Sequence, residues 1–206
     1  PQVIESITGQ GYEDYLKTNF YKPLGASTIT FNPLRFYPRN QMIPTEVDTF
    51  FWKTPLQGVV HDEGAAMMNG VSSNAGLFAT TLDLAKLMQM YLWKGTYGGE
   101  RFIEENTLEL FTTCHYCNTG NRRGLAFDKP VLENKANGST AIDASPHSFG
   151  HSGYTGTFAW ADPDAGILFI FMSNRVYPTR ENRKLYQLNV RPSMHQAVYD
   201  SRLIYE

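Results

Sequence analysis

Apolar residues recur at helical spacing along the first half of the chain and at both ends. Near position 160 the pattern changes to short, almost continuous apolar runs. Val3, Ile4 and Ile7 predict a short helix over Val3 to Ile7, closed by Thr8-Gly9. Tyr12, Tyr15, Leu16 and Phe20 lie on one stripe and predict a second helix from Tyr12 to about Tyr21, ended by Lys22-Pro23-Leu24-Gly25. Pro33, Pro38, Pro44, Pro55, Gly58, Gly64 and Gly70 break up residues 26–75, which predicts irregular backbone with short elements at most. Loops of that length commonly form the walls of a site. Thr80-Thr81-Leu82-Asp83 reads as a capping box with Asp83 reaching back to the helix start. Leu84, Leu87, Met88, Tyr91 and Leu92 continue that helix to a stop at Gly95, and Met67, Met68, Met88 and Met90 read as core filler. A further short helix is expected from Glu104 to Phe111.

Beyond about residue 121 strands are expected. Arg123 to Phe127 reads as one. Phe158 to Ala161 and Ile167 to Met172 flank the turn Asp162-Pro163-Asp164-Ala165-Gly166 and predict a hairpin. The second arm is apolar at every position, which predicts an interior strand covered on both faces. Pro192 at a first helical position, with Met194, Ala197, Val198 and Leu203, predicts a terminal helix that supplies the cover. Helices first and antiparallel strands last give an α+β fold. Its expected division is a helical, loop-rich lobe over 1–120 and the strands with the terminal helix over 121–206.

Composition narrows the function classes. The hydrophobic share of 42% and the charged share of 18% describe a chain that can bury a core and exclude a disordered one. The net charge of −2 is spread without long runs, so there is no footprint for nucleic acid. The longest apolar run, Ile167 to Met172, is too short for a membrane span. Pro1-Gln2-Val3-Ile4-Glu5 has neither an initiator Met nor a charged segment leading into an apolar one. No signal peptide is read there, and the chain is expected to be a fragment that begins inside an element.

Three clusters carry candidate chemistry. Gly150-His151-Ser152-Gly153-Tyr154-Thr155-Gly156 places a histidine and hydroxyls in a glycine-rich stretch before the hairpin, where a backbone can approach a ligand; a hydrogen-bonded turn is the plainer reading. It is not a Gly-x-Ser-x-Gly nucleophile elbow, because Tyr154 stands where the last glycine belongs. Cys114-His115-Tyr116-Cys117 reads as free thiols or a local disulfide ahead of half a zinc site or a redox pair. His61-Asp62-Glu63 reads as polar groups stitching the loop-rich segment to the helical lobe, ahead of a metal or acid–base cluster. Asn137-Gly138-Ser139 matches a glycosylation sequon and reads better as a turn.

Taken in order, longer stretches resemble a known family. Gly150-His151-Ser152-Gly153 before a strand, turn and apolar strand is similar to the third motif of serine β-lactamases and penicillin-binding proteins. It is most similar to the group of class C β-lactamases, D-alanyl-D-alanine carboxypeptidases and esterases, where His-x-Gly often replaces Lys-Thr-Gly. Ile4 through Thr8-Gly9 to Pro23-Leu24-Gly25, Gly58-Val59-Val60-His61-Asp62-Glu63, Gly70 to Phe78 continuing into Asp83-Leu84-Ala85, and Ser173-Asn174-Arg175-Val176 also resemble family segments, so the likeness runs over nearly the whole chain.

The resemblance implies a truncated β-lactamase/transpeptidase-like fold and acyl transfer through a seryl intermediate, without metal or organic cofactor. Carried over, His151 takes the Lys position, beside the proton relay or a substrate carboxylate. Ser152 offers that carboxylate a hydroxyl, the backbone N–H of Tyr154 donates to the oxyanion, and Gly153 and Thr155 line the substrate. Histidine for lysine makes the charge titratable, which weakens carboxylate binding. No Ser is followed by Lys three residues on, and Tyr116-Cys117-Asn118 fits Tyr-x-Asn by letters alone. In the family both motifs precede the segment matched by residues 4–25. The chain is therefore expected to be inactive alone and to associate with the missing N-terminal half or with itself. The implied substrate is a small molecule or a peptidoglycan-type peptide, and the implied location is the cell envelope or periplasm. The ending from Asn174 resembles that of domains fused to glycoside hydrolases in cell-wall recycling. A non-catalytic binding or scaffold module is the alternative from another class.

Overall fold

Gly9 ends the first helix, α1 (Gln2–Thr8), in the left-handed conformation that glycine adopts at least cost, with φ 69°. The computed structural model describes residues 1–133, 135 and 138–204, so Asn137 of the sequon lies outside the described residues. The chain divides into two units, Pro1–Leu87 with Asn174–Asn182, and Met88–Ser173 with Arg183–Glu206. Helices α2 (Tyr12–Leu16), α3 (Glu63–Met67), α4 (Thr81–Leu92), α5 (Glu105–Thr112), α6 (Lys184–Gln187) and α7 (Val190–Asp200) follow, with nine short strands among the described residues. This is an α+β arrangement.

In the first unit, α2 passes into a π turn at Lys17–Tyr21, and that wider turn carries Tyr21, rather than Phe20, into the interior. Tyr21, Leu24, Ala26, Ile29, Phe31, Leu56, Val60 and Ala65 are buried. The loop-rich segment contains only short ladders: β1 (Thr30–Phe31) with β4 (Leu77–Phe78), and β2 (Pro44–Val47) with β3 (Pro55–Gln57), both antiparallel. The capping box at α4 is half made. The Asp83 N–H donates to Thr80 Oγ1 at 3.4 Å, but the Asp83 carboxylate accepts from the N–H and hydroxyl of Thr28 and from Lys86 Nζ, leaving the Thr80 N–H to Thr28 Oγ1. A nearby loop thus outcompetes the local cap. Met67 and Met68 are not core filler: Met67 is 72% exposed, because α3 buries only Ala65.

In the second unit Met88 and Met90 are buried, as expected. Gly95 closes α4 with φ 89°; a Cβ there would lie 1.9 Å from the Ile103 carbonyl oxygen. A hairpin, β5 (Thr96–Tyr97) with β6 (Glu100–Arg101), leads to α5. Residues 123–127 form no strand. They make a tight reversal, with the Gly124 N–H on the Phe127 carbonyl and a single bridge between Arg123 and Asp128. A Cβ on Gly124 would sit 2.3 Å from the Phe111 carbonyl, so the chain bends there instead of extending.

The main sheet is antiparallel, in the order β7 (Phe149–Ser152), β8 (Phe158–Asp162), β9 (Ile167–Phe171). The hairpin is present, but its apolar second arm is not interior: β8 is the central strand, and β9 is half-buried at the border of the described sheet. Register aligns Phe158, Trp160, Phe169 and Phe171 on one face. Helix α7 covers that face, as the sequence predicts, but with different residues. Arg191, His195 and Tyr199, four apart, are buried, while Met194 and Ala197 point outward. Pro192 stands third in the helix rather than first.

Candidate active site

Strand β7 carries the glycine-rich stretch and is a border strand. Its register pairs Gly150 with Trp160, His151 with Ala159 and Ser152 with Phe158. Gly150 is required by packing, since a Cβ would lie 2.1 Å from the Ala159 carbonyl oxygen and 2.4 Å from the Trp160 ring. Gly153 is less confined, since its nearest neighbour, 2.3 Å from where its Cβ would be, is the Thr157 side-chain Oγ1, which can rotate away. The Gly153 N–H donates to the Thr157 carbonyl at 2.9 Å, and the Gly156 N–H closes a turn on the Gly153 carbonyl at 3.0 Å. Tyr154 and Thr155 occupy the two central positions of that turn. The five residues singled out from sequence, His151, Ser152, Gly153, Tyr154 and Thr155, therefore follow one another along the strand end and its turn. Strand alternation sends the side chains of His151 and Ser152 to opposite faces, so these two form no nucleophile–base pair.

On its outer side β7 meets Asp128, which the sequence reading passed over. The Asp128 N–H donates to the Gly150 carbonyl at 2.8 Å and the Gly150 N–H to the Asp128 carbonyl at 3.1 Å. The carboxylate of Asp128, only 10% exposed, lies 3.6 Å from His151 Nδ1 and 3.1 Å from Arg123 Nη2. The first separation is too long for a hydrogen bond and within reach of an ion pair. His151 itself is 60% exposed. The signal in the sequence was a lone carboxylate just after Phe127, masked there by reading 123–127 as a strand.

The other two clusters have local roles. Glu46, buried on β2, accepts from Arg180 Nε and Nη2, each at 2.8 Å, and meets His61 Nε2 at 2.5 Å; Arg180 Nη2 also donates to Glu63 Oε1 at 3.1 Å. The Arg180 bonds come first in holding the Glu46 carboxyl below its ordinary range, against burial. Asp62 caps α3 by accepting the Ala65 N–H at 2.7 Å. His61 and Glu63 thus stitch the loop-rich segment within its own unit. Cys114 and Cys117 are disulfide-bonded, which fixes the turn holding Tyr116-Cys117-Asn118. Among the described residues no group of three or more His, Cys, Asp or Glu side chains is placed to hold a metal ion, and no helix is long and apolar enough to cross a membrane.

With the border strand and its turn in place, comparison with known proteins assigns the family. The family model described as Beta-lactamase matches residues 2–191. The chain belongs to the beta-lactamase family. A protein of Escherichia coli (strain K12), named "Putative D-alanyl-D-alanine carboxypeptidase", is 33% identical over 191 residues, covering 84% of this chain and 42% of the relative. A beta-lactamase structure from Mycobacterium bovis superposes with TM-score 0.62 at 19% identity, covering 97% of this chain and 60% of the other. A penicillin-binding protein homologue from Caulobacter crescentus gives TM-score 0.55 at 22% identity, covering 84% of this chain and 49% of the other. The structures establish the beta-lactamase-type fold. This beta-lactamase-family chain spans less than half the length of the Escherichia coli relative.

Proposed function

We propose that the chain is the C-terminal part of a serine hydrolase that cleaves an amide or ester, such as a β-lactam or a peptidoglycan stem peptide, through an acyl-enzyme. The observation that carries this reading is the placement of the His151 to Thr155 stretch on the border strand β7 and the turn beyond it. There one strand can form the rim of a cleft. In this reading His151 polarises the proton relay or meets a substrate carboxylate. Ser152 offers its hydroxyl to the same carboxylate, and Gly153 and Thr155 line the substrate. The backbone N–H of Tyr154, in the turn that the Gly156 N–H closes on the Gly153 carbonyl, is assigned to the oxyanion as the family resemblance implies. The nucleophile and the Tyr-x-Asn group belong, by the family's order, to the part of the relatives that this chain does not span. That part is the proposed partner, and the cell envelope is the proposed location.

A fluorescent penicillin or a fluorophosphonate tests this by covalent mass shift. This chain alone should gain no adduct, whereas the chain combined with the N-terminal part of the domain should be labelled once, on the added polypeptide. Labelling of this chain by itself would overturn the assignment of the nucleophile. Restored folding without turnover would favour a binding module.

A further inference from the structure

We propose that Asp128 is the positioning residue of this site, holding the imidazole of His151 with Nδ1 turned inward and Nε2 presented outward; this rests on the acyl-transfer reading above. Asp128 touches β7 in two independent ways. Its backbone exchanges both hydrogen bonds with Gly150, the residue next to His151, and this holds it against the outer edge of the strand. Its carboxylate then reaches His151 Nδ1 at 3.6 Å through one oxygen and Arg123 Nη2 at 3.1 Å through the other. The carboxylate is nearly buried while both partner side chains are more than half exposed, so it has lost most of its water and they have not. A carboxylate that has lost most of its water is screened less over such a distance than one in open water. Its attraction favours whichever form of the ring places N–H at Nδ1. The lone pair of the neutral ring, or the second N–H of the charged one, is then at Nε2 on the far side of the imidazole. The turn after β7 carries no charged side chain, the carboxylate on β8, Asp162, is held by Ser145, Ala165 and Tyr199, and Arg123 engages the opposite oxygen of Asp128.

The test reads the tautomer of the His151 ring by nitrogen-detected NMR in this chain, at a pH where the imidazole is neutral. Native protein, Asp128→Asn and Asp128→Ala are compared, with the backbone amides of 149–152 and 158–161 as a control for the sheet. The native ring should be mainly Nδ1–H. Asp128→Asn should move the population toward the Nε2–H form that imidazole prefers in water, and Asp128→Ala at least as far, with the amide signals in place. A native ring that is mainly Nε2–H overturns the proposal even if both variants unfold, and so does a ring unmoved in variants whose sheet is intact. In the complete domain Asp128→Asn should lower kcat/KM about tenfold, the low end of the loss when a histidine-orienting partner is removed from a metal site. Active complete domain with an unmoved tautomer would end this proposal alone. A shifted tautomer with an inactive complete domain would end the hydrolase reading and leave the role of Asp128 standing.

Discussion

His195 lies flat against Phe169, the two rings 12° from parallel with centroids 4.7 Å apart. Its Nδ1 accepts the Ala141 N–H at 3.1 Å, so the ring is neutral with its proton on Nε2, which is buried without a hydrogen-bond partner among the described residues. A histidine therefore sits where the helical pattern calls for an apolar side chain, and it behaves as one.

Burial pushes the His195 imidazole down to about 4, with the Asp162 charge opposing only in part. The unfolded chain binds that proton near the ordinary histidine value, so stability from this group is complete above about pH 6.5. It falls as the pH drops from there to about 4, by roughly 3 kcal/mol in all. Urea midpoints between pH 4 and 7 should therefore fall more steeply for the native chain than for His195→Gln. Parallel slopes would show that His195 is not a buried neutral ring.

The same helix shows what the sequence could and could not reveal. Its existence, its place at the end and its task of covering the sheet were legible from the spacing of apolar residues and from Pro192. Its buried face was not, because the side chains that turn inward, Arg191, His195 and Tyr199, are polar types made tolerable by partners distant in sequence. The hairpin was legible because its turn residues and apolar runs act locally. Asp128 was not, because a bridge to Gly150 spans twenty-two residues and leaves no periodic trace. The border position of β9 was also hidden: five apolar residues in a row say that cover is needed, not from which side.

Tyr199 donates its hydroxyl to Asp162 Oδ2 at 2.6 Å in the interior. Burial alone would raise the Asp162 carboxyl, but the Ser145 N–H and hydroxyl, the Tyr199 hydroxyl and the Ala165 N–H together hold it below its ordinary range. Tyr199→Phe keeps the ring and removes one bond to a buried charge, for an expected loss of about 2 kcal/mol in chemical denaturation. Ser145→Ala should cost less, about 1 kcal/mol, since the Ser145 N–H remains on the carboxylate. The reverse order would mean that Tyr199 acts by packing.

Within the first unit, Glu46 is the shared acceptor of Arg180 and His61. Glu46→Ala removes the shared acceptor from a site built around a negative charge and should destabilise that unit by about 3 kcal/mol. Its pH dependence follows from the lowered carboxyl: the contribution is complete above the ordinary carboxylate range and is lost as the pH falls through the depressed folded value. Hydrogen exchange at the β2 and β3 amides is the direct measurement. Protection unchanged from native at pH 7 would mean that Arg180 finds enough in Glu63 and Asp48.

Gly150→Ala separates a packing requirement from a turn requirement. The added methyl meets the Ala159 carbonyl oxygen at 2.1 Å and the Trp160 Cα at 2.8 Å, both backbone atoms of β8 that cannot rotate away. Strand β7 must therefore move off β8, and because Gly150 also carries both bonds to Asp128, the outer contact goes with it. The expected cost is about 3 kcal/mol, the upper end for overpacking. Gly166→Ala is the control: it has φ 65° at the hairpin tip, and an added Cβ finds nothing within 4 Å. Only the left-handed backbone opposes it, for about 1 kcal/mol. Amide exchange across 158–162 should quicken in Gly150→Ala and stay near native in Gly166→Ala. If the two variants lost protection equally, β7 would not be seated on β8 as closely as these distances require, and the border strand would be a poor rim for any cleft.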